Sequence, residues 1–341
     1  MKIKVIIGSP FEEINNGWDY RYVNLLKGLM QYFSLFIFIP GSIEKLKQQL
    51  PDATIYGFKG CVQKKKKFNK LNLIKSYIRP KKEQIYLPGF NFYPGYESFI
   101  LQNEVAADTT IYFGLDAIIF YGQNDKTSLI FCDFCDSIAR NLANQIKAKK
   151  RNPLLGFVDL VYLKRIKRRF VSAHIKVIGI TETDCAFIKK ILPHNAVITV
   201  SNGIQNPSVD IDLRSKYESD NLIFVGSLNY MPNVDSIRFI IEEIWPEISV
   251  RFGNLRLMIV GRNPGKVVTD LCANDPRILL HANVENVYSF LEKSKLFLCP
   301  MFLGGGLKNK VLEALISFTP VITNKEGAVG IPLINREHGW I

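Results

Sequence analysis

No stretch of eighteen apolar residues runs unbroken in this chain. The best candidate, LLKGLMQYFSLFIFIPG, is interrupted by Lys27, Gln31 and Ser34, which argues against a spanning helix. The opening MKIKVIIGSPFEEINNG lacks the long apolar region of a secretory signal and is expected to form a first strand. Cysteine is sparse: six residues (61, 132, 135, 185, 272 and 299) show no dense, regular spacing, so a disulfide scaffold is excluded and reduced thiols of a cytoplasmic protein are expected. The C-x-x-C at Cys132 and Cys135 has no second ligand pair for zinc and no thioredoxin-like surroundings. Four histidines (174, 194, 281 and 338) form neither H-E-x-x-H nor a triad-like group. The Walker pattern is absent, and so is G-x-G-x-x-G after the first strand.

What is present fits a soluble globular protein of two domains, with 47% hydrophobic and 22% charged residues over 341 positions. The charge is divided unevenly. Residues 1–200 hold 30 Lys and Arg against 16 Asp and Glu, whereas 201–341 hold 14 against 15. The excess concentrates in KKKKFNKLNLIKSYIRPKK (64–82) and IKAKKRNPLLGFVDLVYLKRIKRRF (146–170), where cations alternate with large apolar residues. Such segments suit an anionic bilayer surface. A solvated basic face and a nucleic-acid partner are the competing readings, and no R-G-F-type strand motif supports the last.

In the second half, the runs NLIFVGS, LRLMIVG, RILLHANV, KLFLCP and PVITN alternate with segments of helical period. Strands apolar on both faces imply a parallel sheet covered by helices. The first half alternates less regularly, with strands expected at KIKVIIG, SLFIFIP, ATIYGF, AIIFYG, SLIFCDF, IKVIGIT and AVITVSNG. The expectation is α/β with two doubly wound, Rossmann-like domains, 1–205 and 206–341, joined through the polar stretch 202–221. Ligands of such domains gather at the carboxyl ends of strands, and here also in the groove between domains.

One corner stands at such a strand end. In FLCPMFLGGGLKNKVLEALISFTPVIT (297–323), Gly304, Gly305 and Gly306 let backbone amides approach a ligand closely, and a helix follows. Its first-turn amides and Lys308 favour an anion. Asn309 and Glu313 fall together, one turn apart, away from the stripe of Leu307, Val311, Ala314 and Leu315. A carboxylate beside a phosphate pocket makes sense as an acceptor from ribose hydroxyls, so the corner is expected to seat a nucleotide diphosphate. A plain glycine-rich turn with a solvated helix face is the alternative.

At this point the chain resembles the glycosyltransferases of the GT-B fold, family 4. The resemblance rests on ordered pieces: NLIFVGSLNYMPNVDSIRFIIEEIWPEI with its P-N-x-D helix start, RLMIVGRNP, ILLHANVENVYSFLEKSKLFLCPM, and GGGLKNKVLEALISFTPVITNKEGAVGI. It covers 201–331 well and the first half loosely, through SNGI and DFCDSIARN. It implies a donor domain at 206–341 in which Gly304 to Gly306 and Lys308 meet the diphosphate and Glu313 the ribose. Asn283 and Val284 would meet the nucleobase, and Gly226 and Ser227 would line the site below the phosphates. In the first, acceptor-side domain, Gly17, Arg21 and Asp136 would meet acceptor or sugar. A capping role for Asp136 ahead of SIARN is an equal reading.

The chain departs from the family in places. Gly305 stands where many relatives have the first glutamate of E-x7-E. Ser227 replaces a basic residue, which shifts phosphate charge onto Lys308 and Arg262. Phe318 replaces a glycine where a left-handed helix cap prefers one. The chain also stops at Ile341 where relatives continue, so truncation is expected. The resemblance implies a retaining transferase that uses a nucleotide-sugar donor and an envelope glycan or lipid-linked acceptor at the cytoplasmic membrane face. No cofactor, metal or nucleic acid is expected, and the D-x-D at Asp210 and Asp212 lies in the polar linker. A catalytically inactive GT-B-like binding or scaffold protein is the alternative.

Overall fold

The computed structural model describes residues 1–341 except 12–16, 61–77, 79–91, 123, 136–137, 148, 150–151, 205–211 and 338. The chain forms two compact units, Met1–Gly203 and Ile204–Ile341.

The first unit runs β1 (Lys2–Ile7), α1 (Gly17–Met30), β2 (Ser34–Pro40), α2 (Glu44–Gln49), β3 (Thr54–Phe58), α3 (Tyr96–Gln102), β4 (Thr109–Phe113) and α4 (Leu115–Tyr121). It continues with β5 (Leu129–Asp133), α5 (Ile138–Lys147), α6 (Pro153–Phe170), β6 (Lys176–Gly179), α7 (Glu182–Ile191) and β7 (Val197–Thr199). Its seven strands lie in the order β3-β2-β1-β4-β5-β6-β7, all parallel. The order reverses between β1 and β4, whose carboxyl ends therefore flank a crevice. Strand β1 shows why the sheet must be covered on both sides: Ile3, Val5, Ile6 and Ile7 are all buried, so both faces are apolar.

One expected strand of this unit is a helix. AIIFY falls within α4, with Gly122 as the residue that ends it, and the strand before it is β4, the stretch TTIYF, which the sequence pattern did not single out. Every residue of α4 is buried, so the helix is apolar all round and its pattern carries no period to separate it from a buried strand.

The second unit comprises α8 (Leu213–Glu218), β8 (Asn221–Ser227), α9 (Met231–Phe239), α10 (Trp245–Arg251), β9 (Arg256–Arg262), α11 (Lys266–Cys272), β10 (Ile278–Ala282) and α12 (Tyr288–Leu291). Then come β11 (Leu296–Cys299), α13 (Asn309–Ile316), β12 (Val321–Thr323) and β13 (Gly339–Trp340). Its six parallel strands are ordered β10-β9-β8-β11-β12-β13, with the reversal between β8 and β11.

Part of the polar stretch read as a linker is built into this unit. The Lys216 side chain of α8 is buried, and its ammonium donates to the Leu291 carbonyl at 2.6 Å and the Thr319 hydroxyl at 2.9 Å. It thereby joins the Ser294 amide and the Thr319 hydroxyl as a donor to a carbonyl at the end of α12. Of the D-x-D, Asp210 lies outside the described residues, and Asp212 accepts from the Arg214 amide at 3.1 Å at the start of α8.

Candidate active site

The site is assembled from the carboxyl ends of four neighbouring strands of the second unit. Gly226 pairs with Gly261 and Ser227 with Arg262 across β8 and β9, while Gly261 pairs with Ala282 of β10. A side chain at Gly261 would collide with the Gly226 carbonyl, so glycine is required for these strand ends to lie so close. Beyond β9 and β10 the chain turns on two left-handed asparagines, Asn263 (φ 54°) and Asn283 (φ 55°). The Asn263 amide donates to the Asn283 Oδ1 at 2.8 Å, and the Asn283 amide to the Gly261 carbonyl at 2.6 Å. Asn283 is exposed, whereas Val284 is half-buried against the core.

Beyond β11 the chain is pinned by Asn324, whose amide group donates to the Met301 carbonyl at 2.7 Å. The triglycine loop then forms with Gly304 at φ 114° and Gly306 at φ 65°, a backbone that side-chain-bearing residues rarely adopt. Lys308 is the residue before helix α13 rather than a member of its first turn. It is buried, and its ammonium folds back into the loop, donating to the carbonyls of Gly304, Gly305 and Gly306 at 3.4, 3.1 and 3.0 Å. The expected side-chain reach beyond the loop is therefore replaced by a cation held inside it. Carbonyl acceptors are neutral, so the positive charge persists at the loop and acts on whatever lies against it.

Lys310 was missed in the sequence reading. From the first turn of α13 its ammonium lies 2.5 Å from the Asn233 Oδ1 and 4.4 Å from the centroid of the Phe224 ring. It also lies 3.2 Å from where a side chain at Gly226 would begin. Asn233, buried in α9, donates in turn to the Ser227 carbonyl at 2.9 Å. The P-N-x-D and K-N-K motifs thus meet beneath Gly226, at the reversal of strand order. Burial lowers the affinity of Lys310 for its proton, against the pull of Cys299 and Glu313.

Glu313 follows Lys310 by three residues, on the same helix face. It is half-buried; burial raises its carboxyl above the ordinary range, and Lys310 and Arg262 oppose the rise. Asn309, the first residue of α13, is half-buried, Ser227 is exposed with its hydroxyl on the Asn229 Oδ1 at 2.9 Å, and Arg262 is exposed at the end of β9. The structure therefore brings Gly226, Arg262, Lys310 and Glu313 to one edge with the triglycine loop. That edge offers an anion three cations, Lys308, Lys310 and Arg262, and a carboxylate for neighbouring hydroxyls.

In the first unit, Gly17 is the exposed first residue of α1 and Arg21 is buried. The Arg21 Nε and Nη2 lie 2.9 and 2.7 Å from one oxygen of Asp133, and Nη1 donates to Asn202 at 2.8 Å. Arg21 thus ties α1 to the ends of β5 and β7. Asp136 lies outside the described residues. A second carboxylate that the sequence did not advertise, Asp116, stands at the β1–β4 reversal, so close to Gly8 and Gly114 that a side chain at either would strike it. Burial pushes Asp116 up to about 7, against hydrogen bonds from the Ala117 amide and the Ser9 hydroxyl. Cys132 and Cys135 are buried thiols in no disulfide, and they donate to different partners, the Gly114 carbonyl and the Tyr22 hydroxyl. Among the described residues, no group of three or more His, Cys, Asp or Glu could hold a metal ion.

Comparison with known proteins bears on this edge directly. Residues 219–341 match the family model of the glycosyl transferases group 1, a span that contains every element of the second unit except α8. Over that span the chain is similar to the glycosyl transferases group 1. No match was found among curated protein sequences. The fold resembles that of TarM, at 12% identity and TM-score 0.65, over 100% of this chain and 88% of that one. It also resembles HepE of Anabaena, solved with UDP and glucose, at 11% identity and TM-score 0.59, over 100% of this chain and 85% of that one. A glycosyltransferase from Rickettsia africae matches at 10% identity and TM-score 0.62, over 99% of this chain and 83% of that one. These likenesses establish the GT-B fold.

Proposed function

We propose that this chain is a glycosyltransferase that moves a sugar from a nucleotide-diphosphate sugar, seated on the second unit, to an envelope glycan or lipid-linked acceptor met by the first. The observation that carries the reading is the convergence of Lys310, the Lys308-filled glycine loop and Arg262 on the strand edge that also holds Glu313. Departure of a nucleotide diphosphate builds negative charge on the leaving oxygen, and fixed cations and amides stabilise it without reorganising. Glu313, raised by burial yet flanked by cations, accepts hydrogen bonds from the ribose hydroxyls. The nucleobase lies against the Asn283–Val284 turn, beyond β10.

The family 4 resemblance supports transfer with retention of configuration, the leaving phosphate taking the acceptor proton, and no metal. The solved structures give the donor class its precedent: HepE was crystallised with UDP and glucose, and a TarM mutant of S. aureus with UDP and alpha-GlcNAc-glycerol. The basic balance of residues 1–200 supports work at an anionic cytoplasmic membrane face, where capsule or lipopolysaccharide acceptors are held. No described helix is long and apolar enough to cross a membrane.

A thermal-shift panel of UDP-, GDP-, ADP- and CMP-sugars tests the reading. One base class is expected to raise the unfolding midpoint, and Glu313→Ala and Lys308→Ala are each expected to cut transfer at least tenfold. Unchanged transfer by both variants would remove the assigned roles, and donor binding without turnover on any acceptor would favour the scaffold reading.

A further inference from the structure

Helix α6 wears its apolar residues on the outside. Asn152 caps it, accepting from the amides of Leu154 and Leu155 at 3.0 and 3.4 Å, and Pro153 opens it. The second half of the helix packs on the first unit's core through Tyr162, Leu163, Ile166 and Phe170. The first half buries only Gly156, which has no side chain to offer. Leu154, Leu155, Phe157, Val158 and Val161 are instead 79%, 62%, 66%, 46% and 46% exposed. A helix held by hydrophobic packing ordinarily turns such residues inward, so this reversal calls for an apolar medium on the outer side.

The same stripe changes character along its length. At helical spacing after Val161 come Lys164, Arg165, Arg168 and Arg169, all exposed. From Leu154 to Val161 the stripe is about 10 Å long, about two turns of an apolar face of the kind that lies in the headgroup and acyl boundary. The Arg165 guanidinium also donates to the Ile78 carbonyl at 3.1 Å, and the Ile78 side chain is 63% exposed. That bond places the exposed Ile78 beside the basic end of α6.

We propose that this face of α6 docks the enzyme on an anionic bilayer, with Leu154, Leu155, Phe157, Val158 and Val161 among the acyl chains and Lys164, Arg165, Arg168 and Arg169 at the lipid phosphates. The proposal deepens the membrane-face reading above by naming the surface. The charge selects a bilayer over a second copy of this chain. The exposed cations at the end of the stripe have one sign only, which anionic lipid headgroups match and a copy of the same basic face would repel.

Sedimentation of the full chain with vesicles of equal phosphatidylglycerol and phosphatidylcholine, and with phosphatidylcholine alone, tests it. At least tenfold stronger partition to the anionic vesicles is expected. Leu154→Glu with Phe157→Glu is expected to weaken that partition at least tenfold, and Lys164→Glu with Arg169→Glu to abolish the preference for anionic lipid. If the glutamate variants fail to fold, Phe157→Trp carries the test, with an emission blue shift on adding anionic vesicles. No binding by the wild-type chain, no weakening by Leu154→Glu with Phe157→Glu, or an unshifted emission from the Phe157→Trp variant would overturn the proposal. So would a dimer in light scattering that the glutamate pair converts to monomer. Nucleotide-sugar thermal shifts on the same proteins keep the two readings apart: lost vesicle partition with intact shifts bears on α6 alone, and intact partition without shifts bears on the donor edge alone.

Discussion

Both units are parallel sheets whose strand order reverses once, yet they treat buried charge in opposite ways. In the first unit, Arg21 is buried against Asp133, and Arg140 lies 3.6 Å from Asp184. Each of these two cations faces a carboxylate, so its charge is balanced where it stands and serves to join elements. In the second unit, the Lys308 ammonium sits among three carbonyls and that of Lys310 on an amide oxygen. Neutral acceptors satisfy the donors while leaving the charge in place. The comparison teaches that Arg21 and Arg140 are balanced where they stand, whereas Lys308 and Lys310 keep a charge that the proposed donor site would use.

The comparison can be broken most forcefully at Arg21. Arg21→Met strands Asp133 as a buried unpaired carboxylate and is expected to cost about 3–5 kcal/mol of stability. Calorimetric unfolding measures it; a loss below about 1 kcal/mol would make the pair incidental.

Asp116 gives the next effect, with a definite sign. Its folded-state affinity for a proton is raised, from 3.8 to about 7, so the favourable neutral form is fully present below pH 4 and its contribution is lost as pH rises through 7. Asp116→Asn is expected to unfold at a higher temperature than wild type at pH 8, by as much as about 4 kcal/mol of relief, and to show little difference at pH 4. Equal midpoints at pH 8 would mean that the carboxylate is solvated.

The parts of the molecule that repeat were legible in the sequence. NLIFVGS is β8 residue for residue, RILLHANV, KLFLCP and PVITN each contain their strand, and β9 runs one residue past LRLMIVG to Arg262. Legibility failed where burial erased the period, as in α4, and where a side chain's direction depended on torsions that sequence does not display. Lys308 is the clearest case: its inward fold follows from the positive φ of Gly304 and Gly306, so its place on the loop was readable and its direction was not. Lys310 could have been found from the K-N-K spacing, since it stands three residues before Glu313, but nothing local revealed Asn233, seventy-seven residues earlier, as its partner.

The smallest expected effect lies at the end of α13. Phe318 adopts φ 51°, its amide donates to Leu315 at 3.0 Å, and the Thr319 amide donates to Ala314 at 2.8 Å, which is a Schellman cap with an aromatic residue in the glycine position. The left-handed strain predicted from the sequence is therefore present. Phe318→Gly is expected to stabilise the chain by about 0.5–1 kcal/mol, read as a rise in the unfolding midpoint, because relief of strain outweighs the added freedom of the unfolded chain.

The central claim is that the second unit's retained charge exists to hold a diphosphate. Isothermal titration of wild type and Lys310→Met with the nucleotide sugar that gives the largest thermal shift measures it directly. The account predicts at least a tenfold rise in Kd for Lys310→Met, with an unfolding midpoint near that of wild type. Equal affinity in the two proteins would contradict it.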